Sequence, residues 1–165
     1  MSFIPEGYQE PTSSGGRYTK IEEGKKVKVR ILGSPIQGFE KWTVEPKPVR
    51  WRTIEQEPPR GDWKPNEQAK LFWAMPVWNY ISDQIELWQI TQKTIRQEIA
   101  ALAQNEEWGD PTEYDLTIGR TGSGLETKYQ VHPSPHRQTE DMILKAYANN
   151  KPNLEALFSG DDPFA

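Results

Sequence analysis

The stretch that decides the fold is Lys25-Lys-Val-Lys-Val-Arg-Ile-Leu32. Its apolar residues Val27, Val29 and Ile31 alternate with the basic residues Lys26, Lys28 and Arg30. Because successive side chains of a strand point to opposite faces, this period of two predicts a half-buried strand with a basic outer face.

Outward from this stretch, further strands surround one helix. We predict a broken second strand over 39–44 and 49–54, then strands over 70–80, 85–90, 114–120 and 125–131. Pro76 predicts an edge position or a bulge for the 70–80 strand. Thr94 and Gln97 form a capping-box pattern that predicts a helix start, with Ile95, Ile99 and Leu102 on one face. This order predicts a mainly β chain with one or two helices, specifically an OB-fold: a five-stranded Greek-key barrel, β-β-β-α-β-β, with a hairpin elaboration.

Composition shifts divide the chain into four segments. Residues 1–16 are rich in Pro, Ser and Gly and predict a flexible leader. Residues 17–133 form the predicted core, and 134–153 a Pro-containing linker with a short helix around 141–149. Residues 154–165 form an acidic tail with aromatic residues.

The composition excludes several classes of protein. The chain has no cysteine, so it has neither a disulfide framework nor a thiolate metal site. It has no signal-peptide pattern and no long apolar run, from which we expect a cytoplasmic protein. His132 and His136 flank prolines and are expected to be exposed linker residues rather than metal ligands. No local pattern of nucleophile and base, or of clustered carboxylates, indicates catalysis; we predict no enzyme activity and no cofactor.

Charge and tryptophan point to a nucleic-acid partner, although the formal net charge is -4. Residues 17–70 hold 13 Lys/Arg against 8 Asp/Glu, an excess of 5, whereas residues 71–137 hold 5 against 9. Seven tryptophans are more than a small core buries easily, so at least two exposed indoles are expected. Exposed aromatic rings among basic residues bind unpaired bases by stacking, without sequence preference.

The candidate single-strand-binding residues lie in the basic half. The candidate phosphate contacts are Lys28, Arg30, Lys41, Lys47, Arg50, Arg52 and Lys70, and the candidate stacking residues are Trp42, Trp51, Trp73, Trp78 and Tyr80. Trp88 and Trp108 flank the predicted helix and are assigned to the core. Both faces of the 70–80 strand are apolar, so alternation does not decide which of its indoles faces solvent.

Taken in order, four segments resemble the bacteriophage single-stranded DNA-binding proteins, especially the core of the T-even helix-destabilising type. They are Val27-Lys-Val-Arg-Ile-Leu-Gly-Ser-Pro35, Phe72-Trp-Ala-Met-Pro-Val-Trp-Asn-Tyr80, Ile85-Glu-Leu-Trp-Gln-Ile-Thr-Gln-Lys-Thr-Ile95 and Trp108-Gly-Asp-Pro-Thr-Glu-Tyr-Asp-Leu-Thr-Ile118. The resemblance covers residues 18–133 and implies protection of single strands in DNA replication or recombination. The T-even type holds a structural zinc through Cys and His; this chain has no Cys, so no zinc site is expected.

The tail carries a second resemblance. Asp161, Asp162, Pro163 and Phe164 are similar to the disordered acidic end of bacterial-type single-stranded DNA-binding proteins, although Ala165 follows the phenylalanine here. That resemblance implies docking of replication or recombination proteins to these four residues. It also raises the hypothesis that the tail folds back over the cationic groove when no partner is bound.

Other classes of function stay open at this stage. The aromatic face could instead bind a host protein, as an interaction or inhibitor module. RNA binding is a nearer alternative, because a stacking groove accepts either strand unless it recognises the 2′-hydroxyl. A nuclease or nucleotide hydrolase on the same scaffold is a third. The sequence leaves the oligomeric state open.

Overall fold

A computed structural model describes Phe3 and residues 17–165 of the chain. These residues contain seven strands and two α-helices, joined by loops and short 3-10 turns. The strands are β1 (Lys26–Ile31), β2 (Ile36–Trp42), β3 (Pro48–Trp51), β4 (Lys70–Asn79), β5 (Gln84–Ile90), β6 (Leu116–Thr121) and β7 (Lys128–Pro133). The helices are α1 (Lys93–Gln104) and α2 (Asp141–Asn149). The predicted mainly β class is confirmed. The predicted leader, residues 1–16, lies outside the described residues except for Phe3.

Strand β4 is the centre of the sheet, and all pairings between the seven strands are antiparallel. One of its edges pairs first with β2, at Ile36 opposite Ala74, and then with β1, at Ile31 opposite Val77. Its other edge pairs with β5 along the whole hairpin. The remaining order is β3-β2-β4-β1-β6-β7. The strand that contains Pro76 is therefore central, which corrects the predicted edge position.

The location of Pro76 explains how a central strand tolerates a proline. The chain leaves the sheet between β1 and β2, and Pro76 lies opposite this break. Its carbonyl accepts a hydrogen bond from the Leu32 N–H at 3.0 Å. The N–H that proline lacks would point to the same side, where the break leaves no regular ladder partner.

The sheet is open, and the predicted five-stranded Greek-key barrel is not confirmed. Within residues 17–165 no backbone pairing joins β5 to β7. Helix α1 packs against both of these strands, and the Glu98 carboxylate accepts a hydrogen bond from the Val131 N–H of β7 at 2.8 Å. A helix thus covers the strand edge that barrel closure would have paired.

The main core lies between the inner face of the sheet and α1. Val27, Val29 and Ile31 of β1 are all buried there, as their alternation predicted. Ile95 and Ile99 of α1 are buried on the same side, with Leu102 packed at its margin. The helix begins one residue before Thr94, and its N-cap residue Gln92 makes no side-chain cap hydrogen bond. The predicted capping box is therefore wrong.

The outer face of β4 and β5 is covered by the C-terminal part of the chain. Ile143 of α2 is fully buried against Trp78 and Ile85. Leu157, in a 3-10 turn over Leu154–Phe158, is buried against Phe72. The helix predicted around 141–149 is confirmed. The segment 134–153, predicted as a linker, packs as part of the body. No helix among the described residues is long and apolar enough to cross a membrane.

Candidate nucleic-acid interface

The β2–β3 hairpin and the loop after it carry most of the predicted site residues. Trp42 ends β2 and is half-buried. The loop of residues 52–69 is held against it, because the Lys64 N–H donates to the Trp42 carbonyl at 3.0 Å. The Lys64 ammonium lies 5.6 Å from the centre of the Trp42 ring. One aromatic platform and a cation are therefore fixed together at the end of the hairpin.

Trp63, in the loop of residues 52–69, is a second aromatic residue at this end of the hairpin, and it is not among the site residues predicted from the sequence. It is half-buried, and the Lys41 ammonium lies 4.9 Å from its ring centre. Gly61 packs so closely on the indole that a Cβ atom at that position would overlap the ring. The sequence Gly61-Asp-Trp63 does not by itself indicate this contact, because the contact depends on the conformation of the loop.

A buried polar network lies beneath Trp42. The carboxylate of Glu40, which is 4% exposed, accepts hydrogen bonds from the Trp42 indole N–H at 3.0 Å and from Arg50 Nε at 2.9 Å. It also accepts from the Gln89 amide at 2.6 Å, and Arg50 Nη2 donates to the Gln89 oxygen at 2.9 Å. Charge-assisted hydrogen bonds of this kind fix the side chains that they join.

A groove of about 500 Å³ opens beside this network. Aromatic and basic side chains line it together, namely Tyr18, Lys20, Trp42, Lys47 and Arg50, and Gln89 lies among them. Tyr18 is held by backbone pairing with Leu87, and burial raises the pKa of its hydroxyl above the ordinary value. Two acidic residues of the C-terminal segment, Asp161 and Asp162, line the groove as well.

Two of the residues predicted to contact phosphates are buried, and their donors are bonded to other protein groups. Arg30 is 2% exposed, and its guanidinium donates to the carbonyls of Thr112 at 2.9 Å and Arg137 at 2.6 Å and approaches Asp115 at 3.4 Å. The segments that contain Thr112 and Arg137 cover this face of β1, so the predicted basic outer face is wrong at Arg30. The Arg50 side chain is 9% exposed, and its donors are directed to Glu40 and Gln89.

The other predicted cations have more access to solvent. Lys47 is 76% exposed and lies 3.8 Å from Glu45, and Arg52 is 52% exposed and pairs with Glu155. Lys41 is an exception, because its side chain is only 15% exposed and pairs with Glu57 at 3.0 Å. Lys70 is exposed and forms no ion pair with another described residue. Exposed ion pairs contribute little to stability, so phosphate groups can replace Glu45 and Glu155 at small cost.

The division of the tryptophans into buried and solvent-accessible residues differs from the prediction. Trp51 and Trp78 are only 6% and 5% exposed, so neither presents a free indole face and both stacking predictions are corrected. Phe39 stacks on Trp51 at 6.4 Å, and α2 covers Trp78. Trp88 is buried in the core as predicted. Trp42 and Trp73 are half-buried. No indole among the described residues is fully exposed.

Tyr80 and Lys28 lie in a separate cluster around the buried carboxylate of Asp115. That carboxylate accepts a hydrogen bond from the Tyr80 hydroxyl at 2.9 Å and from Arg137 at 3.0 Å. The Lys28 ammonium lies 3.8 Å from Asp115 and 5.1 Å from the Tyr80 ring. Burial, and next the hydrogen bond to Asp115, raises the pKa of Tyr80. This cluster also holds Arg30, and neither Tyr80 nor Lys28 lines the groove beside Trp42.

The C-terminal residues lie against the body rather than extending from it. Pro163 is buried, and its carbonyl accepts a hydrogen bond from the Asn153 N–H at 2.8 Å. The Phe164 ring is half-buried, with the Arg17 guanidinium 3.8 Å from its centre. Asp161 and Asp162 are exposed. Docking of a partner to these residues stays a prediction, and it now requires Phe164 to leave this contact.

Trp73 lines a second pocket, which Asp161 and Asp162 do not line. This pocket of about 270 Å³ lies between β4, α1 and the β1–β2 connection, and Ile31, Met75 and Ile99 line it with Trp73. Gln37 accepts a hydrogen bond from the Trp73 indole at 3.4 Å. Within residues 17–165 no group of three His, Asp or Glu side chains is arranged to hold a metal ion. No protein-family model matches the chain, and no curated protein or solved structure matches it.

Proposed function

We propose that this chain binds single-stranded DNA, without sequence preference, in the groove beside Trp42. The observation that carries the proposal is the composition of that groove: aromatic rings of Trp42 and Tyr18 share one opening with Lys20, Lys47 and Arg50. Stacking on an aromatic ring contributes ~1–3 kcal/mol per base and suits any base, because every base has a π face. Lysines at the rim add a salt-dependent attraction for phosphates.

The connectivity supports an OB-type interpretation of the fold. If β1 and β2 are counted as one bent strand, the sheet has a first strand paired with β4 and β6, then the β4–β5 hairpin, a helix, and the β6–β7 hairpin. That is the strand-and-helix order of an OB-fold, in which ligands bind on the middle strands and adjoining loops. The loop of residues 52–69 then corresponds to the first of those loops, lengthened.

The mechanism follows from the difference between the buried and the exposed cations. Arg50 stays paired with Glu40 and shapes the groove. Lys47, Arg52 and Lys70 exchange water or an exposed carboxylate for a phosphate, and one or more bases stack on Trp42. The protein would thereby keep single strands unpaired during replication or recombination, with no chemical step.

The test is fluorescence anisotropy of a labelled poly-dT oligonucleotide over a salt series, read together with intrinsic tryptophan quenching. We expect binding with quenching, and a decrease of log affinity with log salt of roughly 0.7 per phosphate contacted. A duplex of equal length is the control for strand type, and poly-U tests whether RNA binds equally. Absence of binding at low salt would refute the proposal and favour a protein-interaction module.

The acidic segment offers a second test of the same groove. Because Asp161 and Asp162 line it, they compete with phosphates, and converting both to asparagine should tighten poly-dT binding at low salt. Asparagine retains an oxygen for the hydrogen bond that Asp162 accepts from the Phe164 N–H. The matched control converts Glu106 and Glu107, both exposed after α1, to glutamine. Equal affinities for the two double variants would refute competition by the tail.

A further inference from the structure

We propose that Glu40 is a positioning residue: its buried carboxylate holds the Trp42 indole in the orientation that stacking on a base requires. The inference rests on the proposed single-strand binding and deepens it. It assigns a contribution to binding to a residue that is itself negatively charged and buried, and that would repel a phosphate.

The geometry makes Glu40 the point on which the groove wall is built. One of its oxygens accepts the Trp42 indole N–H at 3.0 Å, and the other accepts Arg50 Nε at 2.9 Å and the Gln89 amide at 2.6 Å. Both oxygens are therefore occupied. Three side chains, one each from β2, β3 and β5, meet at one carboxylate, and all three line the groove: Trp42, Arg50 and Gln89.

Strand geometry explains why this residue can orient the indole. Glu40 and Trp42 are two residues apart on β2, so their side chains leave the same face of the sheet. The hydrogen bond reaches the indole at its polar edge, which leaves the face of the ring available for stacking. Trp42 is the last residue of β2, and the bond to Glu40 is the hydrogen bond that its indole N–H makes among the described residues.

The negative charge of Glu40 and its positioning of Trp42 predict opposite effects on DNA binding, so variants at Glu40 distinguish the two. Glu40→Asp keeps the charge but draws the carboxylate back by one methylene, away from the indole. Glu40→Gln removes the charge and places an amide N–H₂ against the donors of Arg50 or Gln89. The control Glu45→Gln removes one charge from the same hairpin, at a residue that is 73% exposed and lies near Lys47.

We expect both Glu40 variants to bind poly-dT at least about fivefold more weakly, the size of a partly lost stacking contact, and to show less tryptophan quenching. Electrostatics alone would leave Glu40→Asp unchanged and make Glu40→Gln bind more tightly, as we expect for Glu45→Gln. Binding of Glu40→Asp at the affinity of the unaltered protein would overturn the inference. Thermal unfolding of each variant checks that the fold is retained. If Glu40→Gln does not fold, Glu40→Asp, which keeps a negative charge beside Arg50, still tests the inference.

A measurement on the free protein separates this inference from the proposed function. The ¹H–¹⁵N spectrum contains one indole signal per tryptophan, and a Trp42→Phe variant identifies that of Trp42. A hydrogen bond to a carboxylate shifts this signal, so it should move in both Glu40 variants and stay in place in Glu45→Gln. If the signal moves but the unaltered protein does not bind poly-dT, the proposed function fails and the positioning of Trp42 stands. If the signal does not move, the positioning role fails whatever the protein binds.

Discussion

Arg30 and Lys47 are both basic residues of the first half of the chain, yet the structure predicts opposite consequences for replacing them by methionine. Arg30 is 2% exposed and donates to Asp115 and to two backbone carbonyls. Removing one partner of a buried ion pair destabilises a protein by about 3–5 kcal/mol. Asp115 keeps Tyr80 and Arg137 as partners, which places the expected loss near the lower end, about 3 kcal/mol.

Lys47 is 76% exposed, and its replacement should leave the free energy of unfolding within about 0.5 kcal/mol of that of the unaltered protein. It lines the groove, so losing it should reduce the salt slope of poly-dT binding by roughly 0.7, one phosphate contact. Arg30→Met should leave that salt slope unchanged under conditions in which the variant is folded.

The assays are urea unfolding and the anisotropy salt series, carried out on both variants. Lys128→Met is the matched control, because this exposed residue lies on β7, at the opposite end of the strand order from β3. It should change neither quantity. The reasoning would be refuted by an Arg30→Met variant of unaltered stability whose salt slope falls by one contact, since Arg30 would then be an accessible phosphate ligand.

Three further predictions concern stacking, alkaline stability and the C-terminal cover. Trp42→Phe should remove most of the fluorescence quenching by poly-dT, whereas Trp73→Phe, outside the groove, should remove little; the reverse result would move the strand to the second pocket. Burial raises the pKa of Tyr114 above its ordinary value of 10.0, so the unfolded chain loses that proton first and stability falls as pH rises through 10 towards the folded pKa. In urea unfolding, Tyr114→Phe should show a smaller loss between pH 8 and pH 11, and an equal loss would contradict the assignment. Ile143→Ala should lower the free energy of unfolding by about 2–5 kcal/mol, and Leu144→Ala, at a 48% exposed site, by less than about 0.5 kcal/mol; equal effects would mean that α2 is not packed on the sheet.

Local patterns determined most of the secondary structure of this protein. The alternation over residues 25–32 predicted β1 and its buried face, because a period of two has only one way to place three apolar side chains in a core. The periodicity of α1 and the bounds of α2 were likewise predictable from sequence. The basic and aromatic composition of the first half identified the groove residues Trp42 and Lys47.

The covering of each face was decided by the tertiary structure alone. Strand β4 is apolar on both faces, so its pattern could not indicate that α2 buries Trp78 while Trp73 stays half-exposed. Arg30 follows the alternation of an exposed residue, but the segments that contain Thr112 and Arg137 cover that face and supply its hydrogen-bond partners.

The same distinction applies to the candidate site. The sequence by itself determined which residue types are available for stacking and for phosphate contacts, because composition and local charge do not depend on the fold. It could not determine that Glu40 joins Trp42, Arg50 and Gln89, since these residues come from three strands that meet only after the sheet forms. The resemblance of the tail raised the hypothesis that it folds back over the groove, but the sequence could not determine the contact that holds it there, which is the packing of Phe164 beside Arg17. Burial and partner choice are long-range properties, and only the tertiary structure decides them.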